Sequence, residues 1–170
     1  GCYESMFYNC TALASAPELP AKQMAQSCYA NMFYYCSSLT TPPELPAMSL
    51  ASACYEYMFH SCSSMTKAPV LPAKILASNC YHGMLYGCSL INEIYCDAED
   101  IGTYRCTTNW LYGVAKSGVF YANPVCNWAV GYDGIPTGWK ISDYSNKTDS
   151  DPDSGGDDDG KGEGEDFIWG

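Results

Sequence analysis

The sequence predicts an α/β repeat solenoid with a C-terminal β cap and an acidic flexible tail. Three observations predict it. Cysteine recurs at one constant step, at Cys2, Cys28, Cys54, Cys80 and Cys106, without insertion. Self-similarity at a fixed period of about 20–50 residues is the mark of stacked repeats. Each copy divides into a stretch with helical apolar spacing and a stretch carrying prolines. From Asn146 the composition changes to Asp, Gly, Ser and Glu. The expected organisation is residues 1–118 as four repeats plus a degenerate fifth, 119–145 as the cap and 146–170 as the tail.

The first half of each copy reads C-Y-x-x-M-F-x-x-C, as at Cys54, Tyr55, Met58, Phe59 and Cys62. Leu76, Cys80, Met84 and Cys88 follow one another at i+4, and so do Ala77, Tyr81 and Leu85. This spacing predicts a short helix facing inward, with Ser27, Ser52 and Ser78 as its caps. The second half reads L-x-x-A-P-x-L-P-A, at Leu13 to Ala21, Leu39 to Ala47 and Met65 to Ala73, with Pro42 replacing the alanine in copy two. Proline excludes a helix here, so the segment is extended. Pro17, Pro43 and Pro69 should leave a short or broken strand. One such unit cannot bury its Met, Phe and Leu side chains alone, so neighbours must close the core.

The units Met32-Phe33-x-x-Cys36-Ser37-Ser38-Leu39-Thr40 and Met58-Phe59-x-x-Cys62-Ser63-Ser64-Met65-Thr66 resemble the BspA-like leucine-rich repeats of bacterial surface proteins. These are common in gut Bacteroidetes and in some of their phages. The resemblance covers roughly Cys2 to Arg105. It implies a leucine-rich-repeat solenoid with an extracellular, non-catalytic, ligand-binding or adhesive role, and it names no ligand. It places the chain outside the cell, on a cell surface or on a phage tail fibre.

Copy four keeps Cys80-Tyr81-x-x-Met84-Leu85-x-x-Cys88, then loses its prolines over Ile91 to Asp97, where β-branched residues predict the most regular strand of the stack. Copy five brings in Trp110-Leu111, a lid suited to an open core. Residues 119–141 read as strands and turns around Asn123-Pro124 and Tyr132-Asp133-Gly134. Gly134-Ile135-Pro136-Thr137-Gly138-Trp139 resembles the G-I-P-S-G-W element that often closes such arrays. Its bland reading is turn residues flanking buried aromatics, and its sharper one a carbohydrate platform through Trp128 and Trp139. Because the chain starts at Gly1-Cys2, inside a repeat, it reads as part of a longer array or as an uncapped end covered by a partner.

The net charge of −11 is uneven: residues 1–145 hold ten acids and six bases, and 146–170 hold nine acids and two lysines. No basic footprint for nucleic acid is present, and no apolar run is long enough for a spanning helix. The run Thr148 to Asp166 cannot bury enough surface to order itself. Asp149-x-Asp151-x-Asp153 starts like a calcium loop, but Ser154 and Gly160 stand where glycine and glutamate are wanted. Phe167, Ile168 and Trp169 end the acidic stretch as a docking peptide for a neighbouring chain or for the chain's own domain.

Nine of the eleven cysteines belong to the repeat: the five openers plus Cys10, Cys36, Cys62 and Cys88. Two cysteines eight residues apart on a helix stand ~12 Å apart, beyond the ~7 Å between Cα atoms that a disulfide allows. They read as a ladder of buried thiols. Cys96 with Cys106 is the most credible disulfide. No C-x-x-C occurs and only His60 and His82 could assist, so no metal and no cofactor is expected. No nucleophile motif, phosphate loop or zinc-protease motif occurs, so no enzyme activity is expected either.

The position after Phe holds Tyr8, Tyr34, His60 and Tyr86, a row predicted along one outer edge of the stack. Such rings suit contact with sugar or protein; the bland reading is packing over the neighbouring element. On the extended half, Glu18 and Glu44 recur, giving way to Val70. The expected function is recognition or adhesion, with a host or bacterial surface protein or glycan as partner. The alternative is a self-assembling surface or fibre subunit, a homo-oligomer joined by the tail.

Overall fold

The computed structural model describes residues 2–147. It corrects the predicted fold class. Among the described residues there is no α-helix, and regular strand is confined to one three-stranded parallel sheet. The chain is not an α/β leucine-rich-repeat solenoid; most of it is turn and irregular backbone. What repeats with the cysteine period is a register of hydrogen bonds. We call each copy of the repeat a rung.

The C-Y-x-x-M-F-x-x-C half forms consecutive tight turns. Cys28, Ala30, Met32, Tyr34 and Cys36 each donate a backbone N–H to the carbonyl three residues earlier. The residues between them donate outward to the next rung: Ser27 to Ser52, Tyr29 to Cys54, Asn31 to Glu56, Phe33 to Met58 and Tyr35 to His60, at 2.8–3.0 Å. The third rung repeats the scheme from Ala53, Tyr55, Tyr57, Phe59 and Ser61. Local turn bonds and inter-rung bonds thus alternate along the chain and satisfy the buried backbone.

The i→i−4 bonds of a helix are excluded by a second regularity. Ser27, Asn31 and Tyr35 have positive φ, as do Ala53, Tyr57 and Ser61 one rung on, then Asn79, Gly83 and Gly87. A left-handed residue at every fourth position cannot sit in a right-handed helix. At Gly83 the φ of +57° matches those of Asn31, Tyr57 and Asn109 at the same rung position, and what singles out glycine is space: a Cβ there would lie 2.3 Å from the Tyr57 ring. The strict four-residue apolar step belongs to this turn pattern. On an α-helix, at about 100° per residue, each such step would drift about 40° around the axis. Ser27, expected as a helix cap, is one of the left-handed residues.

In the proline-bearing half the rungs are joined sparsely, by Thr40 N–H to Ala14, Thr66 N–H to Thr40, and isolated parallel bridges at Ser15 with Thr41 and Gln23 with Ser49. Proline supplies no N–H for a ladder. Where the prolines stop, strands begin. β1 (Glu93–Cys96) lies within the Ile91 to Asp97 segment and pairs in parallel with β2 (Val119–Ala122), Glu93 opposite Val119 and Cys96 opposite Ala122. β2 pairs in parallel with β3 (Lys140–Asp143), Val119 opposite Lys140. A short 3₁₀ turn, Tyr144–Asn146, follows, its amide at Ser145 held by the Asp143 carboxylate at 2.8 Å. Residues 119–143 therefore continue the same sheet.

Between the two halves lies the core. Met32, Phe33, Met58, Phe59, Met84 and Leu85 are each at most 1 % exposed. Phe7, Phe33 and Phe59 stack at 5.5 Å, and Tyr29, Tyr55, Tyr81 and Trp110 stack at 5.9–6.2 Å. Trp110 is not the outermost lid: Trp128 stacks on it at 5.4 Å. Trp110 Nε1–H donates to Gly134 O at 2.9 Å and Trp139 Nε1–H to Ala115 O at 2.8 Å.

The cysteines behave as buried thiols. The Cys36, Cys62 and Cys88 S–H groups donate to the carbonyls of Phe7, Phe33 and Phe59, each at 3.1 Å. Cys28, Cys54, Cys80 and Cys106 are buried, Cys10 is half-buried and Cys2 exposed. The expected Cys96–Cys106 disulfide is absent: both are free thiols, and Cys106 S–H donates to Ile101 O at 3.3 Å. Burial pushes the Cys54 thiol up to about 11 and those of Cys88 and Cys96 up to about 12. None of these three is a thiolate near neutral pH, so they are inert.

Candidate functional site

Three surface features carry polar or aromatic groups in organised arrays. The first is the ring row. Tyr8, Tyr34, His60 and Tyr86 lie at the same rung position and stack face to face at 5.0, 4.4 and 4.5 Å. Tyr112 continues the column at 4.8 Å and Tyr132 at 4.9 Å. The sequence reading omits Tyr112, although it stands one full period after Tyr86. The column consumes its own ring faces: His60 is sandwiched between two tyrosines and held by the Ser61 hydroxyl on Nδ1 at 2.9 Å. Burial lowers its pKa. From Tyr34 to Tyr86 a ligand meets ring edges and hydroxyls, not open faces, whereas Tyr132 at the end is tilted by 56° and 67 % exposed.

The second is a buried polar network on the turn-bearing side. His82 is 5 % exposed. Its Nδ1 lies 2.8 Å from Glu56 Oε1, and its Nε2 lies 3.1 Å from Tyr57 Oη and 3.2 Å from Arg105 Nη2. A guanidinium only donates, so Nε2 carries the lone pair and Nδ1–H donates to Glu56. The Tyr57 ring lies across Gly83 to bring its hydroxyl to this nitrogen. Glu56 and His82 stand one period apart, so the repeat carried the signal for this pair. His60 is not part of the network. Carboxylate, imidazole and phenol are aligned and bonded to one another, and neither the groove on the proline-bearing face nor the cavity beside Tyr112 and Tyr132 is lined by them.

The third is a groove on the proline-bearing face, a cavity of about 440 Å³. Successive side chains of an extended segment point to opposite faces. Pro43, Leu45, Leu71, Ile94 and Phe120 accordingly go inward, while Glu44, Val70, Tyr95 and Tyr121 are left toward solvent on successive rungs. Pro42, Pro46 and Pro72 form its walls, and Lys67 and Glu93 reach it from the neighbouring positions. Tyr95 and Tyr121, opposite one another in β1 and β2, stack at 4.3 Å and 9°. Burial, with a hydrogen bond to Glu93, raises the Tyr95 phenol above its ordinary value.

The structure thus separates the predicted binding residues. Tyr8, Tyr34, His60 and Tyr86 come together in one column, Glu44 lines the groove, and Glu18 is exposed outside its lining. Lys67, Glu93, Tyr95 and Tyr121 are not among the predicted binding residues, the last three being expected only as strand residues; the one-period step from Tyr95 to Tyr121 was the available sign. Trp139 is buried, and Trp128 gives one ring face to Trp110, which leaves little of a tryptophan platform. The docking residues Phe167, Ile168 and Trp169, and the Asp149 to Asp153 run, lie outside the described residues.

Among the described residues no group of three or more His, Cys, Asp or Glu is placed to hold a metal ion, and no helix is long and apolar enough to cross a membrane. Comparison with protein-family models, with curated proteins and with solved structures finds no match for this chain.

Proposed function

We propose that the protein is a non-catalytic recognition module that binds a surface protein or glycan at an extracellular location, with the groove as its contact site. One observation carries this reading: the groove gathers charged, hydroxyl-bearing and aromatic side chains from successive rungs on one concave surface. Cavities of this size with a few convergent polar groups are where proteins bind ligands. The fold supports the arrangement. The turn-bearing half spends its backbone and ring faces on cohesion, whereas the proline-bearing half leaves its side chains outward.

The test is binding of the full chain to immobilised mucin, a surface glycoprotein offering both polypeptide and glycan. Tyr95→Ala/Tyr121→Ala should abolish binding, and Tyr34→Ala, in the ring column, should leave it. Binding that survives the groove substitutions and is lost on Tyr34→Ala would move the site to the column and overturn this assignment.

A further inference from the structure

The chemistry of the groove narrows what fits it. It is lined mostly by the proline-bearing segments 41–46 and 66–72, with Asn92, Glu93, Tyr95 and Tyr121 at one end, where the backbones of β1 and β2 are paired with each other. The paired backbones of β1 and β2 offer no free edge between them, and Pro42, Pro43, Pro46, Pro69 and Pro72 break up the row of donors that a peptide strand added in the groove would need. Its walls are proline rings, which offer flat hydrocarbon and no donor. Peptide recognition through a buried anchor needs a deep apolar pocket, and the apolar side chains exposed here are only proline rings, Ala68 and Val70.

The polar groups point to a ligand rich in donors. Glu44 and Glu93 are carboxylates, which accept hydrogen bonds and donate none. Lys67 is the one cation beside them. Two carboxylates against one ammonium, on a body of ten acids and six bases, disfavour a polyanion. Tyr95 and Tyr121 stack on one another at 4.3 Å, so their rings are held in place before any ligand arrives. The groove runs across the rungs from Pro42 to Tyr121. Adjacent strands stand about 4.8 Å apart, so three such steps give a track of roughly 14 Å. A linear ligand with hydroxyls along both edges matches the track; a compact one does not.

We infer that the groove takes a neutral, hydroxyl-rich oligosaccharide chain lying along the stack axis, its hydroxyls donating to Glu44 and Glu93 and its C–H faces resting on the proline rings. This inference rests on the recognition reading above and names its ligand class. Tyr95 and Tyr121 set the end of the track through their hydroxyls and exposed edges, and Lys67 donates to a ring or hydroxyl oxygen.

The test is affinity electrophoresis of the full chain through gels containing neutral β-glucan, mannan or xylan, with polyanionic pectate and a cationic peptide conjugate as competing classes. The expected result is retardation by at least one neutral polysaccharide. Glu44→Gln/Glu93→Gln, at exposed positions that the core does not use, should weaken it about three- to tenfold. Tyr95→Ala/Tyr121→Ala should weaken it more than tenfold with the melting transition retained. Retardation only by pectate, only by the cationic peptide, or by no gel in the panel overturns the inference. If mucin binding still depends on the groove in those cases, the ligand class falls and recognition stands. If mucin binding is also absent, both fall.

Discussion

The two halves of each rung solve the backbone problem in opposite ways. In the turn-bearing half, Tyr55, Tyr57, Phe59 and Ser61 each donate to the next rung while Met58 and His60 close local turns. In the proline-bearing half, Thr66 and Leu71 carry the inter-rung backbone bonds, and the Glu44 and Val70 amides donate none. The first half is a cohesive wall, whose rings stack from rung to rung. The second is a side-chain display, tied down by its inward leucines and prolines. The difference teaches that one repeat can assign stability and surface to different parts of the same unit. Proline makes the display half possible, because it removes donors that would otherwise have to be paired.

Deep truncation should separate the halves most strongly. Phe59→Ala removes a fully buried ring from the stack and should cost about 3–5 kcal/mol in chemical denaturation. Pro46→Ala, on the groove wall, should cost about 1 kcal/mol or less. Equal losses would break the proposed division.

Next comes the left-handed backbone of the turn-bearing half. Gly83→Ala places a methyl against the Tyr57 ring at positive φ and should cost about 2 kcal/mol or more. In a double-mutant cycle with Tyr57→Ala the steric part should be recovered and the backbone part should remain. Full recovery would show that the left-handed conformation costs nothing there.

The smallest effect concerns His60. Its folded pKa is depressed by burial, so the unfolded chain binds the proton more readily. Its contribution to stability is therefore present above the ordinary imidazole value of about 6.5 and is lost as pH falls through the folded value. The melting temperature should fall more between pH 7.5 and 5.5 in the native chain than in His60→Tyr, which restores the residue of the neighbouring rungs. Identical pH profiles would remove His60 as a source of acid sensitivity.

The period was legible because it is literal: every opener falls at the same step, and the Phe, Tyr and Cys columns follow from it. The backbone of the turn-bearing half was not. Leu76, Cys80, Met84 and Cys88 at i+4 imitate a helix, and propensity gives no warning of left-handed residues at Tyr35, Tyr57 and Arg105, which rarely adopt that conformation. Asn31, Asn79, Gly83 and Gly87 were the residues that hinted at it. Of the groove, only Glu44 was read. Tyr95 and Tyr121 sit beyond the point where the proline pattern fails; their one-period step is in the sequence, and the pairing of β1 with β2 is what sets them side by side. The His82 network escaped because no motif joins Glu56, Tyr57 and Arg105; the rungs do.

The division between a bonded wall and an open display is tested most directly by residue-resolved amide hydrogen exchange on the full chain. The fold described here predicts that Tyr55, Tyr57, Phe59 and Ser61 exchange slowly, at rates limited by global opening, and that Glu44 and Val70 exchange fast. Slow exchange at Glu44 and Val70, or fast exchange at alternate residues from Tyr55 to Ser61, would contradict it.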